Sequence, residues 1–242
     1  MPTQRQSRRA QPAPERMPTS ARMRQLMRRL KIIALILVML PIALLTLYSF
    51  VPPVSTLMLG RWITLQPVTR DWVALDDIAP ALPQAVIAAE DSRFCLHGGI
   101  DWSALRHVVD RAGENGPTRG ASTIPMQTVK NLVLWPGRSY LRKGLELPLS
   151  VYADIIWSKR RMMENYLNVA EWGEGIFGAE AAARRYFNKS AKNLSRREAA
   201  LLAAALPNPR QRNPAQPARF HARGANAIIM RMGNEDTSCL AR

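Results

Sequence analysis

The sequence contains few of the residues that hold metal ions or build disulfide frameworks. Its 242 residues include two cysteines and three histidines, and neither type is clustered. These counts exclude the spacings of structural zinc sites and the cysteine-dense scaffolds of small secreted domains. Aromatic residues make up 7%, and the glycines show no period, so repeat and collagen-like architectures are unsupported. Hydrophobic residues reach 47%, which is enough for a buried core.

Acidic residues are scarce beside basic ones. The chain has 18 Asp and Glu against 34 Lys and Arg, which gives a formal net charge of +16. Such an excess favours anionic partners, namely nucleic acid, acidic lipid headgroups or phosphate-bearing substrates. Composition leaves all three open, and the position of the charges decides between them.

Charge is missing altogether from Ile32 to Val51. A helix needs roughly 20 apolar residues to cross the hydrocarbon core, so we predict a transmembrane helix over 32–51. A buried core helix and a cleaved signal peptide are the alternatives. The run is longer than a signal h-region, and no small-residue cleavage site precedes Pro52.

The flanking charges predict the topology. Basic residues lie at the N-terminal end of the apolar run: Arg22, Arg24, Arg28, Arg29 and Lys31. Because basic flanks stay inside, we expect residues 1–31 to form a cytoplasmic tail and the chain to span the cytoplasmic (inner) membrane once. The remainder would lie in the periplasm, away from chromosomal DNA, so we expect no nucleic-acid partner. A disulfide can form there, but we expect a buried thiol at Cys95 and an unpaired Cys239.

The periplasmic part is predicted to be mainly α-helical, because no window alternates in the manner of a strand. We divide it into a linker over 52–74, a domain over 75–210 and a C-terminal tail over 211–242. Pro83 suits the first turn of a helix that ends at Glu90. Asp101 caps a helix over 101–111, and a loop follows around Gly116.

Three further helices follow from local signals. Thr123 or its neighbour Ser122 caps the first, with Pro125 in its opening turn. Apolar residues recur at spacings of three, four and seven from Tyr140 to Asn168, where Pro148 should kink or split the helix. The last opens with a capping box over 195–198 and ends at Pro207.

Four segments group residues that carry chemistry, and their order along the chain is specific. They are EDSRFCLHGGID from Glu90; GASTIPMQ from Gly120 with Lys130 and Asn131; Arg142, Lys143 and Glu146 with the later Ser158 and Lys159; and Tyr166–Asn168 with Gly173, Gly178, Ala182, Ala183, Tyr186 and Phe187. Together they resemble the four signatures of the peptidoglycan glycosyltransferases, in the branch of monofunctional biosynthetic transglycosylases. The resemblance covers roughly residues 75–210.

The resemblance implies a fold, a reaction and partners. The fold would be a lysozyme-like, two-lobed glycosyltransferase domain with an apolar jaw that dips into the membrane. The enzyme would polymerise lipid II into β-1,4-linked strands with inversion and release undecaprenyl pyrophosphate. Its partners would be lipid II, the nascent glycan chain, membrane lipid and other cell-wall synthesis proteins. A Mg²⁺ ion bridging the substrate pyrophosphate would be the one cofactor, and no metal ligands of the chain itself are expected.

The resemblance also assigns roles, and each suits the chemistry. A sugar hydroxyl is a poor nucleophile, so a carboxylate must take its proton, and Glu90 would be this base. The apolar residues 85–89 that precede Glu90, and its acidic neighbour Asp91, would raise its pKa. Asp154, where the family commonly has Glu, would be the second carboxylate. The predicted substrate-binding residues are Ser122, Thr123, Gln127, Lys130, Asn131, Arg138, Arg142 and Lys143, and the supporting residues are Asp91, Phe94 and His97.

Two rival functions come from other classes of protein. A lysozyme-like hydrolase also uses two carboxylates, but it has no need of cations for a pyrophosphate. A non-catalytic membrane scaffold would keep the anchor and the core without needing Glu90 and Asp91 at an apolar helix end. We therefore favour the glycosyltransferase.

Overall fold

A computed structural model describes residues 19–111, 122–137 and 139–241. Three sequence predictions lie outside these ranges: the first part of the basic tail, the loop around Gly116 and the role of Arg138. The chain forms two compact units, Met1–Leu40 and Pro41–Arg242.

The first long helix, α1, spans Thr19–Leu47. It begins inside the predicted basic tail rather than at Ile32, and it ends before the predicted end at Val51. Within Arg22–Leu47, its most apolar window has a mean hydropathy of 2.7, and its apolar side chains are largely exposed. Among the described residues it is the one helix long and apolar enough to cross a membrane. The helix is consistent with a single-pass anchor.

The mainly α prediction is confirmed for the second unit. Its helices are α2 Thr56–Ile63, α3 Ala81–Glu90, α4 Trp102–Arg111, α5 Ile124–Val133, α6 Tyr140–Ile156, α7 Lys159–Val169, α8 Ala179–Phe187, α9 Arg196–Ala205 and α10 Arg219–Arg231. Short 3₁₀ turns cover Leu75–Asp77, Phe94–Leu96, Ala191–Asn193 and Ser238–Leu240. The core lies where α3 packs on α9 and α5 packs on α7.

The predicted caps are confirmed where they were placed. Asp101 accepts a hydrogen bond from the Ala104 amide at 2.9 Å, and Thr123 accepts one from the Met126 amide at 3.3 Å. Ser195 and Glu198 form the predicted capping box of α9. These side chains satisfy amides that the first helical turn leaves without partners, which is why local sequence located the helix starts correctly.

The long helical pattern from 140 to 168 breaks at a different place from the one predicted. Helix α6 continues through Pro148, which is exposed, and ends at Ile156. The split occurs at Trp157 and Ser158, where Ser158 caps α7 by accepting from the Arg161 amide at 3.2 Å. The cap of α7 therefore sets the boundary between the two helices. The solvent-facing Pro148 is tolerated inside α6.

A small sheet was not predicted. Strands β1 Thr69–Arg70, β2 Glu171–Gly173 and β3 Ile176–Phe177 pair in the order β1-β3-β2. β3 is parallel to β1 and antiparallel to β2. Strands of two or three residues are too short to show alternation, since that signal needs about 4–8 residues.

The segments interpreted as a linker and a tail contain packed elements. Within 52–74, helix α2 buries Met58, and the Thr56 hydroxyl donates to the Leu134 carbonyl at 2.7 Å. Within 211–242, helix α10 packs against α9 and contributes Ala225 and Ile228 to the core. Their spacing of three is typical of one apolar helix face, and it places this face against the domain.

Cys95 and Cys239 form a disulfide, with Cα atoms 5.5 Å apart. The expectation of a buried thiol and an unpaired cysteine is wrong. The Ser238–Leu240 turn packs beside the loop after α3, and the Leu240 carbonyl accepts from Arg160 Nη1 at 2.8 Å. The disulfide therefore arises from tertiary packing between segments 144 residues apart. A local sequence pattern cannot predict such packing.

We expect Cys239→Ser to lower the free energy of unfolding by about 2–5 kcal/mol, because the cross-link restricts a long loop of the unfolded chain. Thermal unfolding of the oxidised protein and the variant measures the difference. Dithiothreitol should lower the melting temperature of the parent protein to that of the variant and leave the variant unchanged. Equal melting temperatures without the reductant would contradict a stabilising disulfide.

Candidate active site

Glu90 is the last residue of α3, a helix that is mostly buried. The side chains of α3 that precede it, Leu82 and Ala85–Ala88, have almost no exposure, because α3 packs against α9 and α10. A helix that is apolar on every side belongs in a core. Glu90 therefore emerges from the core at the point where the helix ends, and it is half-buried.

The surroundings of Glu90 make it a stronger proton acceptor than an ordinary glutamate. Burial raises its pKa, and the neighbouring charge of Asp91 raises it further. A hydrogen bond of 2.8 Å from Gln127 Nε2 to Glu90 Oε2 opposes this rise, as do the charges of Lys130 and Arg212. A base with a pKa moved toward the working pH is suited to general-base catalysis.

The loop after Glu90 contains the predicted supporting residues and is held by buried contacts. Asp91 accepts from the Ile124 amide at 2.9 Å and contacts His97 Nε2 at 2.9 Å. Phe94 is fully buried, and Lys159 Nζ lies 4.8 Å from the centre of its ring. These contacts attach the loop to the start of α5 and to α7.

Thr123 has a different environment from the one expected of a substrate-binding residue. Its hydroxyl donates to the Gly99 carbonyl at 2.7 Å and caps α5, and the residue is 3% exposed. The first amide of α5 is occupied by Asp91. The structure thus uses this helix start to fix the loop, which leaves little of it for a substrate anion.

Two of the other predicted binding residues on α5, Lys130 and Asn131, line a cavity. Gln127 and Lys130 are three residues apart and therefore share a helix face. Lys130 and Asn131 line a cavity of about 380 Å³, together with Thr56, Trp135 and Arg142. An indole and two cations in one concave site suit a ligand that carries negative charge.

The start of α6 adds charge to this cavity. Lys143 Nζ donates to Ser122 Oγ at 2.9 Å and to Glu146 Oε2 at 2.9 Å, and Arg142 also pairs with Glu146. Burial, followed by the charges of Arg142 and Lys130, lowers the pKa of Lys143 to about 8. Burial and Arg142 likewise lower the pKa of Lys130. Positive charges that lower the pKa of the two lysines form a surplus of positive charge, which a bound anion would relieve.

Asp154 is not among the residues that line this cavity. Its carboxylate pairs with Lys159 Nζ at 2.7 Å, and the same Nζ donates to the His97 carbonyl at 2.6 Å. Glu146 is eight residues earlier on α6, which is about 12 Å along the helix axis. The carboxylate that the structure places among the cations is therefore Glu146, which is 2% exposed, and Asp154 instead supports the loop at His97.

One charged residue near Glu90 was missed by the sequence analysis. Arg212 follows α9, in the segment interpreted as a tail, and its charge acts on Glu90. Its Nη1 donates to the Ala204 carbonyl at 2.6 Å, and its guanidinium lies 4.7 Å from the Phe220 ring centre. Only the packing of α10 reveals this placement, because no local motif marks it.

Known proteins of one family resemble the chain over most of its length. The Transglycosylase family model matches residues 58–233. A biosynthetic peptidoglycan transglycosylase of Brucella suis is 58% identical over 201 residues, which cover 82% of this chain and 90% of that protein. Its counterpart in Rhizobium meliloti is 58% identical over 208 residues, or 85% and 88% of the two chains. That of Agrobacterium fabrum is 55% identical over 210 residues, or 86% and 93%. The chain therefore belongs to the transglycosylase family, and it is a peptidoglycan glycosyltransferase of cell-wall synthesis.

Proposed function

We propose that this enzyme polymerises lipid II into β-1,4-linked glycan strands and releases undecaprenyl pyrophosphate. One observation carries the proposal. A half-buried carboxylate with a raised pKa, Glu90, lies close to the half-buried cation Lys130, which in turn adjoins Arg142 and Lys143. The Glu90 carboxylate suits proton removal from a sugar hydroxyl, and the neighbouring cations suit a phosphate-bearing leaving group.

The proposed step moves one proton and one glycosidic bond. Glu90 takes the proton of the acceptor 4-hydroxyl while the hydroxyl oxygen attacks the anomeric carbon of the donor. The bond from that carbon to the phosphate oxygen breaks, and its electron pair leaves with the pyrophosphate. Attack from the side opposite the leaving group inverts the anomeric centre. The charge that develops on the pyrophosphate is stabilised by the fixed cations of the cavity.

Glu146 is proposed as the second carboxylate in place of Asp154. Because Arg142 and Lys143 both pair with it, Glu146 holds these cations at the cavity before a substrate arrives. A preorganised cation loses little free energy to rearrangement when charge develops in the transition state. Ser122, bonded to the same Lys143, fixes that side chain from the other side.

The residues of the cavity, among those that the structure describes, do not form a Mg²⁺ site of their own. Mg²⁺ prefers several oxygen ligands, whereas the cavity presents Lys130 and Arg142, and its nearby carboxylate Glu146 is already paired with Arg142 and Lys143. No step is therefore assigned to the metal, and the charge on the leaving group is assigned to these side chains.

We further propose that α1 anchors the enzyme in the cytoplasmic membrane with its N-terminus inside, so that the glycosyltransferase domain acts in the periplasm. The basic residues before the apolar run support this orientation. A lipid-linked substrate requires the site to lie near a membrane surface. Other cell-wall synthesis proteins stay predicted partners.

Incubation of the purified protein with radiolabelled lipid II tests the proposal. We expect glycan polymers that muramidase digests. A hydrolase would instead form no polymer and would release smaller muropeptides when preformed glycan is added to a parallel reaction, and a scaffold would leave both substrates unchanged. Either of these outcomes would contradict the proposed function.

We expect a bell-shaped dependence of kcat/KM on pH. The acid limb should lie above the ordinary glutamate pKa of about 4.3, because the free enzyme needs Glu90 ionised and its pKa is raised. The alkaline limb should lie near pH 8, because the charge of Lys143 is lost as the pH rises through its lowered pKa of about 8. Rates of lipid II consumption between about pH 5 and pH 10 cover both expected limbs of the profile.

Lys143→Arg provides the matched control, because a guanidinium keeps its charge throughout this range. The alkaline limb should move to higher pH in this variant, while the acid limb stays where it is. An alkaline limb that does not move would contradict its assignment to Lys143.

A further inference from the structure

Glu90, Gln127 and Tyr166 form a chain of hydrogen bonds that joins the proposed base to the core. Tyr166 Oη donates to Gln127 Oε1 at 3.2 Å, and Gln127 Nε2 donates to Glu90 Oε2 at 2.8 Å. We propose that Tyr166 is a positioning residue that fixes the Gln127 amide with its nitrogen toward Glu90. The inference rests on the proposed role of Glu90 as the base.

Tyr166 is well placed to act as a fixed donor. It lies on α7 and is 1% exposed, so its hydroxyl cannot exchange the bond for water. Within the described residues, Gln127 is the one hydrogen-bond partner of this hydroxyl. Burial, together with the charges of Glu90 and Asp91, raises the pKa of Tyr166 well above its usual value, so the hydroxyl keeps its proton. A phenylalanine would fill the same core volume without a buried polar group that needs a partner.

The amide of Gln127 has two orientations, and they act oppositely on Glu90. One places two N–H donors against the carboxylate, and the other places the carbonyl oxygen there, where it would repel a negative charge. The Glu90 carboxylate, which only accepts, requires the first orientation, and the Tyr166 hydroxyl anchors the amide there by donating to its oxygen on the far side. Successive bonds of this kind polarise one another, which strengthens the donor that faces Glu90.

The chain also orients the carboxylate. Gln127 bonds Oε2 of Glu90, and the described residues provide no hydrogen bond to Oε1. Oε1 is thus the oxygen left to accept the proton of the acceptor hydroxyl. An untethered Gln127 would let the carboxylate rotate, and a misplacement near 1 Å is enough to slow a positioned reaction.

The titratable groups that face Glu90 come from several elements. They are Asp91 beside it, Lys130 on α5, Arg212 after α9 and the protonated Tyr166 on α7. Substitution of Tyr166 by phenylalanine changes none of the first three charges. A shift in the acid limb of that variant therefore reports the Gln127 bond.

Tyr166→Phe is the test. We expect kcat/KM for lipid II to fall about three- to tenfold near pH 6, in keeping with the loss of one hydrogen bond between the neutral Tyr166 hydroxyl and the neutral Gln127 amide. The acid limb should move to higher pH, because the bond that holds the Glu90 pKa down is weakened, and the loss should shrink toward pH 8. Thermal unfolding of the same preparation checks that the variant is folded.

Gln127→Met supplies the matched background, because it removes both hydrogen bonds while keeping the length of the side chain. If Tyr166 acts through Gln127, Tyr166→Phe should lower the rate no further in that background. The same loss in both backgrounds would assign the effect to core packing and overturn the inference. So would a pH profile of Tyr166→Phe that matches the parent enzyme.

The test separates this inference from the proposed function. If Glu90→Gln is inactive but Tyr166→Phe has the parent profile, only the positioning role fails. If Glu90→Gln polymerises normally, the base assignment fails, and the inference about Tyr166 falls with it.

Discussion

Glu90→Gln is expected to lower the rate of lipid II polymerisation by about 10²–10⁴-fold, the usual contribution of a general base. Glutamine has nearly the same shape as glutamate, but its amide cannot take the proton of the acceptor hydroxyl. The initial rate of polymer formation at saturating lipid II measures the loss. The effect should fall on kcat, because the proposed base acts on the reacting hydroxyl rather than on the bulk of the substrate.

The fold should survive this change. Glu90 is half-buried with a raised pKa, so replacing it by a neutral group relieves the free-energy penalty of burying its charge. We expect a melting temperature equal to or above that of the parent protein. Glu174→Gln makes the same chemical change at an exposed position in the β2–β3 turn and should polymerise normally. A Glu90→Gln enzyme as active as this control would contradict the base assignment.

Lys130→Met is expected to lower the polymerisation rate by about 10²–10³-fold, the effect of removing one donor aimed at developing charge. Methionine keeps the apolar stem of lysine and loses the ammonium that lines the cavity and faces Glu90. Single-turnover rates with lipid II would show the loss in the chemical step.

The control for this variant is Lys192→Met. Lys192 is an exposed lysine whose ammonium pairs with Asp77 at 3.0 Å, and neither residue belongs to the four signature segments. Exposed pairs stabilise a fold by about 0–1 kcal/mol, so this control should keep both rate and melting temperature. Similar rates for the two variants would show that the pyrophosphate binds elsewhere. The corresponding prediction for Arg138 rests on the sequence alone.

Local chemistry explains what could be predicted from the sequence. Thr123, Asp101 and Ser195 mark helix starts, because the side chain of each accepts a hydrogen bond from the amide three residues later. The apolar run of α1 is recognisable because a membrane-spanning helix needs length and composition, both of which are local. Glu90 could be singled out because a carboxylate at the end of an apolar helix stands against the usual helix-dipole preference.

The features that were missed depend on long-range packing. Cys95 meets Cys239 because the segment after α10 returns to the loop after α3, and Arg212 approaches Glu90 because it bonds the Ala204 carbonyl near the end of α9. The choice between Glu146 and Asp154 depends on which turn of α6 faces the cavity, and both turns carry a carboxylate next to basic residues. The periodicity of apolar residues describes one helix at a time, so it cannot predict which other element a given helix face will pack against.

The most direct test of the account is the release of polyprenyl pyrophosphate from lipid II by the oxidised, full-length protein. The lipid product can be extracted and counted against the glycosidic bonds in the polymer. The account predicts one pyrophosphate lipid for each bond formed by the parent enzyme and almost none from Glu90→Gln. Polymer formation without that lipid, or equal release by Glu90→Gln, would contradict it.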